Sequence, residues 1–138
     1  MAGYASEILN KIDGICTEIN KKVEIPLMGK CDTLIGETVR ALNRIIYRYV
    51  NDGDKFSTDK NDYGYETVLP SVLWLADIAK DREVNRTADN IICNEFENED
   101  EEYEPRLLEL AKAVKAYIEK GEDEKCEIDS RNYKEIDS

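Results

Sequence analysis

The sequence predicts a mostly α-helical protein, a compact bundle of about five helices with one long polar loop (52–66) and a loose acidic C-terminal tail. Apolar residues recur at three- and four-residue steps in several segments, as they do on the inner face of a helix. Residue types that favour helix ends flank those segments. Hydrophobic residues make up 41% of the 138 residues, which is enough for the core of one domain. We therefore expect a single helical domain over residues 1–121 and a flexible acidic tail over 122–138.

The first two predicted helices have the clearest pattern. The first begins after Ser6, a residue type that caps helix N-termini. Its apolar residues are Ile8, Ile12, Ile15, Ile19 and Val23. The second covers about 33–51 and repeats the pattern with Ile35, Val39, Leu42, Ile46 and Tyr49. Gly53 lies just past its end, which is where a helix commonly has a glycine.

The middle of the chain predicts two further helices after the polar loop. A third helix is expected over 67–81, with Pro70 tolerated in its first turn. The fourth segment, 84–96, fits either a helix or, through its NIICNEF stretch, a short strand.

The last part of the chain begins with a strongly acidic stretch. Residues 95–104 hold seven acids in ten positions, which predicts a solvated loop or a frayed helix end. Pro105 suits the first turn of a fifth helix, because a proline there removes no helical hydrogen bond. Leu107, Val114 and Ile118 lie on the inner face of that helix, and Gly121 is expected to end it.

Several classes of catalytic and metal site are excluded by composition. The chain contains no histidine, which excludes Ser-His-Asp and Cys-His catalysis and nearly every zinc site. Neither G-x-x-x-x-G-K-[ST] nor G-x-G-x-x-G is present. The cysteines form no C-x-x-C pair and are interpreted as reduced thiols: Cys16, Cys31, Cys93 and Cys126.

Carboxylate-only metal sites are also disfavoured. A magnesium-dependent pyrophosphohydrolase would require paired acids on its inner helices. Here the inner acids occur singly: Glu18, Glu37 and Asp77. In the polar loop Asp59, Asn61 and Gly64 match three positions of a calcium-binding EF-hand loop, but Pro70 stands where the bidentate acid belongs. We expect no metal, no cofactor and no enzymatic activity.

The N-terminal residues lack a basic stretch followed by an apolar run, and no 18-residue apolar stretch occurs. These observations predict a cytoplasmic protein that does not enter membranes.

The net charge of −12 is unevenly distributed. Residues 1–69 hold 9 basic and 11 acidic residues, whereas 70–138 hold 10 and 20, so the two halves carry −2 and −10. This argues against direct binding of nucleic acid or of anionic membranes, and it suits a basic protein partner such as a nucleic-acid-binding effector. The expected acidic partner surface consists of Glu97, Glu99, Asp100, Glu101 and Glu102.

An arginine row on the second helix stands out in so acidic a chain. Arg40, Arg44 and Arg48 are four residues apart and lie away from the helix's apolar stripe. Like charges at this spacing cost about 0.2–0.5 kcal/mol per pair unless an anion lies over them. That anion is either one of the protein's own acids, such as Asp52, Asp54 or the 95–104 run, or a bound ligand.

The ligand alternative assigns further residues around the row. Asn43 and Tyr47 would contact a base or ribose, and Tyr63 or Tyr65 would close over it from the polar loop. The candidate ligand- or partner-binding residues are Arg40, Asn43, Arg44, Tyr47, Arg48, Asn51, Asp52, Asp54, Tyr63, Tyr65 and Glu66.

The pattern R-x-x-N-R-x-x-Y-R-x-x-N-D-G-D over 40–54, followed by E-T-x-x-P over 66–70, resembles one in small proteins of phages and mobile elements of gut Firmicutes. The resemblance covers about residues 36–75. Those proteins have Gly-Tyr-Gly before the E-T, where this chain has Tyr63-Gly64-Tyr65. The resemblance implies a phage or mobile-element origin, and small acidic proteins of that origin are often inhibitors of bacterial defence.

Three functions fit these observations. The first in rank is a non-catalytic, anti-CRISPR-like inhibitor whose acidic surface occupies the basic groove of a defence protein. The alternative is a binder that sequesters a nucleotide signal through the arginine row, with loop 52–66 as its cover. The third is a helical accessory or assembly protein in which the row docks on another copy.

Overall fold

A computed structural model describes the backbone of residues 6–23, 33–93 and 100–137, and in the last segment the side chains of 102–120. Within these ranges the chain forms six α-helices and no strand, so the prediction of a mostly helical bundle is confirmed. The helices are α1 (Glu7–Lys22), α2 (Leu34–Tyr47), α3 (Tyr63–Thr67), α4 (Leu69–Asp77), α5 (Arg82–Ile92) and α6 (Asp100–Asp137). A π-helical turn, Arg48–Asp52, extends α2.

The core lies where α6 packs against α1, α2 and α5, and where α4 packs between α2 and α5. Each helix from α1 to α6 except the short α3 contributes fully buried apolar side chains, among them Ile12, Leu42, Leu75, Ile91 and Leu110. Removing this apolar surface from water is the main force that holds the bundle together.

The boundaries of α1 and α2 follow their capping residues. Ser6 accepts a hydrogen bond from the Leu9 amide at 3.0 Å, which confirms the predicted start of α1. Thr33 caps α2 in the same way through the Gly36 amide at 2.9 Å. The π-helical turn then ends at Gly53, whose φ of 74° lies in the left-handed region that glycine adopts without strain.

The predicted polar loop is shorter than expected, because its last residues form α3. The short helix brings Gly64 so close to the preceding loop that a Cβ there would lie 1.7 Å from the Lys55 carbonyl oxygen. Thr67 secures the helix end by donating to the Tyr63 carbonyl at 2.8 Å and to Asp54 at 3.0 Å. The third predicted helix is α4, which has Pro70 in its first turn as expected but is shorter than 67–81.

The segment that fitted either a helix or a strand is the helix α5. Asp81 caps it by accepting from the Val84 amide at 3.1 Å. The Asn85 side chain donates to the carbonyls of Leu75 and Ala79 at 2.8 and 3.0 Å, so it fixes α5 against the end of α4. The predicted segment ran to residue 96, and its end lies outside the described residues.

The last helix begins five residues before Pro105, at Asp100, where a solvated loop or a frayed helix end was predicted. It begins early because Tyr103 and Glu104 are buried there and form hydrogen bonds with the Phe56 amide and with the hydroxyls of Ser6 and Tyr49. The backbone of α6 continues through Gly121, where an end was predicted, to Asp137. The side chains of the predicted acidic tail, 122–138, lie outside the described residues, so the domain boundary at 121 stays a prediction.

Over the part of the chain that the structure describes, no helix combines the length and the apolar character that crossing a membrane requires.

Candidate functional site

An open groove of about 540 Å³ runs between the outer side of α2 and the adjoining ends of α3 and α4. We call it the arginine groove, and it is lined by Arg40, Asn43, Arg44, Tyr47, Arg48, Glu66, Thr67, Pro70 and Ser71. Six of these nine were candidate site residues from the sequence. The groove therefore brings the arginine row to face residues of α3 and α4.

A smaller groove of about 210 Å³ continues along α2 toward its N-terminus. It is lined by Glu37, Arg40, Ala41, Arg44, Pro70, Ser71 and Trp74. Four residues line both grooves: Arg40, Arg44, Pro70 and Ser71. Arg40 and Arg44 therefore lie where the larger and smaller grooves meet.

The position of the arginines follows from the helical period. Val39, Leu42 and Ile45 are fully buried on one face of α2, so residues 40, 44 and 47–48 turn toward the opposite side. On the other wall, Pro70 lies in the first turn of α4, and Ser71 follows it at the edge of the groove. The wall itself depends on the packing of α4 against α2.

The three arginines differ in their acidic partners. Arg48 pairs with Asp52 at 3.0 Å, and Arg40 lies 3.8 Å from Glu37. Arg44 is exposed and forms no ion pair or hydrogen bond through its side chain with any residue that the structure describes. Among the described residues, acids thus pair with the arginines at the two ends of the row but not with the central one.

Three other candidate residues are held by the protein itself. Asn43 forms a pair of amide hydrogen bonds with Asn20 of α1, at 2.8 and 3.2 Å. Asn51 donates to the Tyr47 carbonyl at 3.1 Å inside the π-helical turn. Asp54, which the sequence offered as an arginine partner, accepts instead from Thr67. These contacts stabilise the walls of the arginine groove.

The tyrosines near the groove have different surroundings. Tyr47 lines the groove, and 60% of its surface is exposed. Tyr63 is 77% exposed and Tyr65 is half-buried, and neither lines the groove in this structure. The helix α3 contributes Glu66 to the wall, whereas the expected role of the polar loop as a cover stays a prediction.

Most of the predicted acidic partner surface cannot be placed. Glu97 and Glu99 lie outside the described residues. Asp100 and Glu101 belong to the first turn of α6, but their side chains also lie outside the described set. Glu102 is described and exposed.

A polar cluster that the sequence did not predict lies at the start of α6. Glu104 is 9% exposed and accepts hydrogen bonds from the hydroxyls of Ser6 and Tyr49, both at 2.6 Å. The neighbouring Tyr103 packs edge-on against Tyr49, with ring centroids 5.1 Å apart, and its hydroxyl accepts from the Phe56 amide at 3.1 Å. Burial raises the pKa of Tyr103 above its ordinary range. The sequence held one signal for this cluster, because Tyr103 lies four residues before Leu107 on the apolar stripe.

Among the described residues, no three histidine, cysteine or acidic side chains are grouped so that they would hold a metal ion.

Comparison with known proteins found no matching family model, no matching curated protein and no matching solved structure. The resemblance to phage and mobile-element proteins therefore stays a prediction, and the functional argument depends on the geometry of the groove.

Proposed function

We propose that this protein is a non-catalytic binder of a small phosphate-bearing ligand of the nucleotide class, which it holds in the arginine groove. The observation that carries the proposal is Arg44, an exposed arginine at the centre of the row without an acidic partner among the described residues. The chain has 31 acidic residues, yet none of those described neutralises this side chain.

The arginine row is electrostatically unfavourable without an anion. Arg44 has a like charge four residues away on each side, and each such pair costs about 0.2–0.5 kcal/mol on an exposed helix. A phosphate group removes this repulsion and accepts paired hydrogen bonds from the planar guanidinium. A bound phosphate at Arg44 therefore supplies the counter-charge that none of the described acidic residues provides.

The remaining lining suits the non-phosphate part of a nucleotide. Tyr47 offers an exposed ring for stacking a base. The Ser71 hydroxyl can donate and accept hydrogen bonds, whereas Thr67, whose proton is already donated inside the protein, can only accept. The volume of about 540 Å³ falls within the range of about 300–1,000 Å³ that is typical of small-ligand sites. A protein that holds such a ligand without altering it lowers its free concentration, which is the sequestration function that the sequence offered as its alternative.

A thermal-shift screen tests the proposal directly. The probes are the four ribonucleoside 5′-monophosphates and the corresponding dinucleoside monophosphates, with the uncharged nucleosides as controls. A ligand at 100 times its dissociation constant adds about 2.7 kcal/mol to the free energy of unfolding, which for a domain of this size raises the melting temperature by about 10 °C.

Two arginine variants identify the site. Arg44→Gln removes the central charge of the row, and Arg86→Gln makes the same change on α5, where Arg86 pairs with Glu83 at 3.0 Å. We expect Arg44→Gln to weaken binding at least about tenfold, because a charge-assisted hydrogen bond contributes about 1.5–3 kcal/mol, and Arg86→Gln to leave it unchanged. The proposal is wrong if no phosphate-bearing probe stabilises the protein, or if the two variants bind equally well.

A further inference from the structure

The larger and smaller grooves adjoin each other, because they share Arg40, Arg44, Pro70 and Ser71, and we refer to the pair as a trough. Arg40 and Arg44 line both grooves, so they lie between a larger lobe that contains Tyr47 and a smaller lobe that contains Trp74. Each lobe thus has one aromatic side chain: the exposed Tyr47 lines only the larger groove, and the half-buried Trp74, which packs against the core, lines only the smaller one.

Each lobe also contains a carboxylate. Glu66 lines the larger lobe, and Glu37 lines the smaller one, 3.8 Å from Arg40. A carboxylate repels phosphate but accepts hydrogen bonds from base amino groups and ribose hydroxyls. The charges therefore favour a ligand whose anionic group is central and whose ends are neutral, and they disfavour a polyphosphate chain extended along the trough.

We infer that the ligand is a dinucleotide, in which a central phosphodiester lies on Arg40 and Arg44 and each nucleoside occupies one lobe. This inference rests on the proposed function, because it uses the same arginines as the phosphate site. Stacking on an aromatic side chain stabilises a base in a largely sequence-independent way, so Tyr47 and Trp74 each hold one base. A mononucleotide fills only one lobe and leaves the second ring unused.

The inference predicts a difference in affinity between one nucleoside and two. We would titrate the protein by calorimetry with adenylyl-(3′,5′)-adenosine and its guanosine, cytidine and uridine counterparts, and with the matching monophosphates. The cyclic 3′,5′-dinucleotides form a second arm, which distinguishes a linear from a cyclic linkage. For at least one base, we expect a dinucleotide to bind at least about tenfold more tightly than its monophosphate, the size of effect that one stacked base provides.

Substitution of Trp74 tests the smaller lobe separately from the larger one. In Trp74→Leu an apolar side chain remains but the stacking surface is lost, whereas Trp74→Phe keeps an aromatic ring. We expect Trp74→Leu to reduce dinucleotide affinity to the level of the monophosphate and to leave monophosphate affinity within about twofold, while Trp74→Phe keeps most of the difference. Leu73→Ala is the matched control, since Leu73 is 40% exposed on the same helix and lines neither groove. Melting curves of all variants confirm that each is folded before titration.

The outcomes separate the two proposals. If dinucleotides bind no more tightly than monophosphates, or if Trp74→Leu weakens both by the same factor, the two-lobe inference is wrong. The proposed function still stands in that case provided that Arg44→Gln weakens monophosphate binding. If neither class of ligand binds the wild-type protein, both proposals are wrong.

Discussion

At the scale of single residues, the buried carboxylate of Glu104 joins three distant parts of the chain. It accepts one short hydrogen bond from Ser6, before α1, and another from Tyr49, in the π-helical turn after α2. A buried charged group is stable only when its hydrogen-bonding capacity is met, and here each carboxylate oxygen has a hydroxyl donor. Glu104 therefore positions the end of the helix that carries the arginine row.

We expect Glu104→Gln to lower the free energy of unfolding by about 1–3 kcal/mol. The amide replaces one acceptor oxygen with an NH₂ group, and hydrogen bonds to a charged group are stronger than those to a neutral one. Urea denaturation would measure the change. Glu102→Gln is the control, because Glu102 is exposed on the same turn of α6 and its loss should change stability by less than about 0.5 kcal/mol. Equal losses in the two variants would contradict a specific role for the buried carboxylate.

The central arginine of the row is expected to reduce the stability of the unliganded protein. Arg44→Gln removes two like-charge pairs, so the free energy of unfolding should rise by about 0.4–1 kcal/mol at low ionic strength. The gain should shrink in high salt, which screens exposed charges. Thermal melts at two NaCl concentrations would show both effects. Arg86→Gln should give no gain, since Arg86 has Glu83 as its partner, and a destabilised Arg44→Gln protein would show that another group already balances this charge.

At the scale of secondary-structure elements, the short helix α3 depends on the absence of a side chain at Gly64. A Cβ at this position would lie 1.7 Å from the Lys55 carbonyl oxygen and 3.4 Å from the Ser57 amide nitrogen. Because the first contact involves backbone, rotation of a side chain cannot relieve it. The glycine therefore permits the close approach between the polar loop and the helix that contributes Glu66 and Thr67 to the groove wall.

Two glycine substitutions of opposite sign test this account. Gly64→Ala should destabilise the protein by more than about 2 kcal/mol and weaken ligand binding, because the loop must move away from α3. Gly14→Ala should stabilise it by about 0.5–1 kcal/mol, since Gly14 lies inside α1 and a Cβ there meets nothing within 4 Å. Denaturant melts would measure both. A neutral Gly64→Ala variant would show that the loop accommodates the methyl group by a small shift.

The helices that the sequence predicted best are those with a local signal at both ends. Ser6 and the isoleucine spacing define α1, and Gly53 marks the end of the π-helical turn. The sequence did not decide between a helix and a strand for α5, because the apolar residues of NIICNEF follow neither a helical nor a strand period. Asp81 before it is nevertheless a good capping residue. The start of α6 was missed because the acids around Tyr103 predicted solvation, and only distant partners in the sequence account for the burial of Tyr103 and Glu104.

The candidate site likewise has a part that local sequence predicts and a part that depends on tertiary packing. The arginine row could be read from its four-residue spacing, since a helix places such residues on one side. The facing wall, with Ser71 and Trp74, could not be predicted, because it exists only after α4 packs on α2. The partners of Glu104 could not be predicted either, since Ser6 is 98 positions away in the sequence. Local periodicity identifies one side of a groove, but tertiary packing supplies the other.

At the scale of the whole molecule, the first and last described helices are joined both by the core and by ion pairs at its edge. Lys115 of α6 lies 2.7 Å from Glu18 of α1, and Lys22 lies 3.3 Å from Glu119. The Lys115 ammonium holds the pKa of Glu18 below its ordinary value through a hydrogen bond and charge attraction. Exposed pairs of this kind contribute little to stability individually. The contact between α1 and α6 is therefore stabilised mainly by buried apolar residues, among which Cys16 lies beside Ile12 and Ile19.

Stability should fall at alkaline pH because two buried groups resist losing their protons. Burial raises the pKa of the Cys16 thiol from 9.0 to about 11 and raises that of Tyr103 above its ordinary value of 10.0. In the unfolded chain both groups lose their protons at the ordinary values, so above about pH 9 the folded state binds more protons. The free energy of unfolding should therefore be fully retained below about pH 9 and decrease as the pH rises beyond it.

Urea denaturation between pH 7 and 11 would measure this dependence. Cys16→Ala should remove the part of the decrease between about pH 9 and 11, which amounts to no more than about 3 kcal/mol. Its stability at pH 7 will be lower because of the lost side chain. The two proteins should thus converge as the pH rises. Parallel profiles would show that the thiol loses its proton as easily in the folded protein as in the unfolded chain.

The contacts of α6 also determine when the chain can fold during its synthesis. Ser6 leaves the ribosome 98 residues before its partner Glu104, and α6 is the helix that covers the apolar faces of α1, α2 and α5. Until that helix emerges, the nascent chain exposes surfaces that favour aggregation and chaperone binding. We expect a chain truncated before residue 100 to be degraded by proteases rather than to fold as a smaller bundle. The synthesis of α6 is therefore the step that allows the nascent chain to fold.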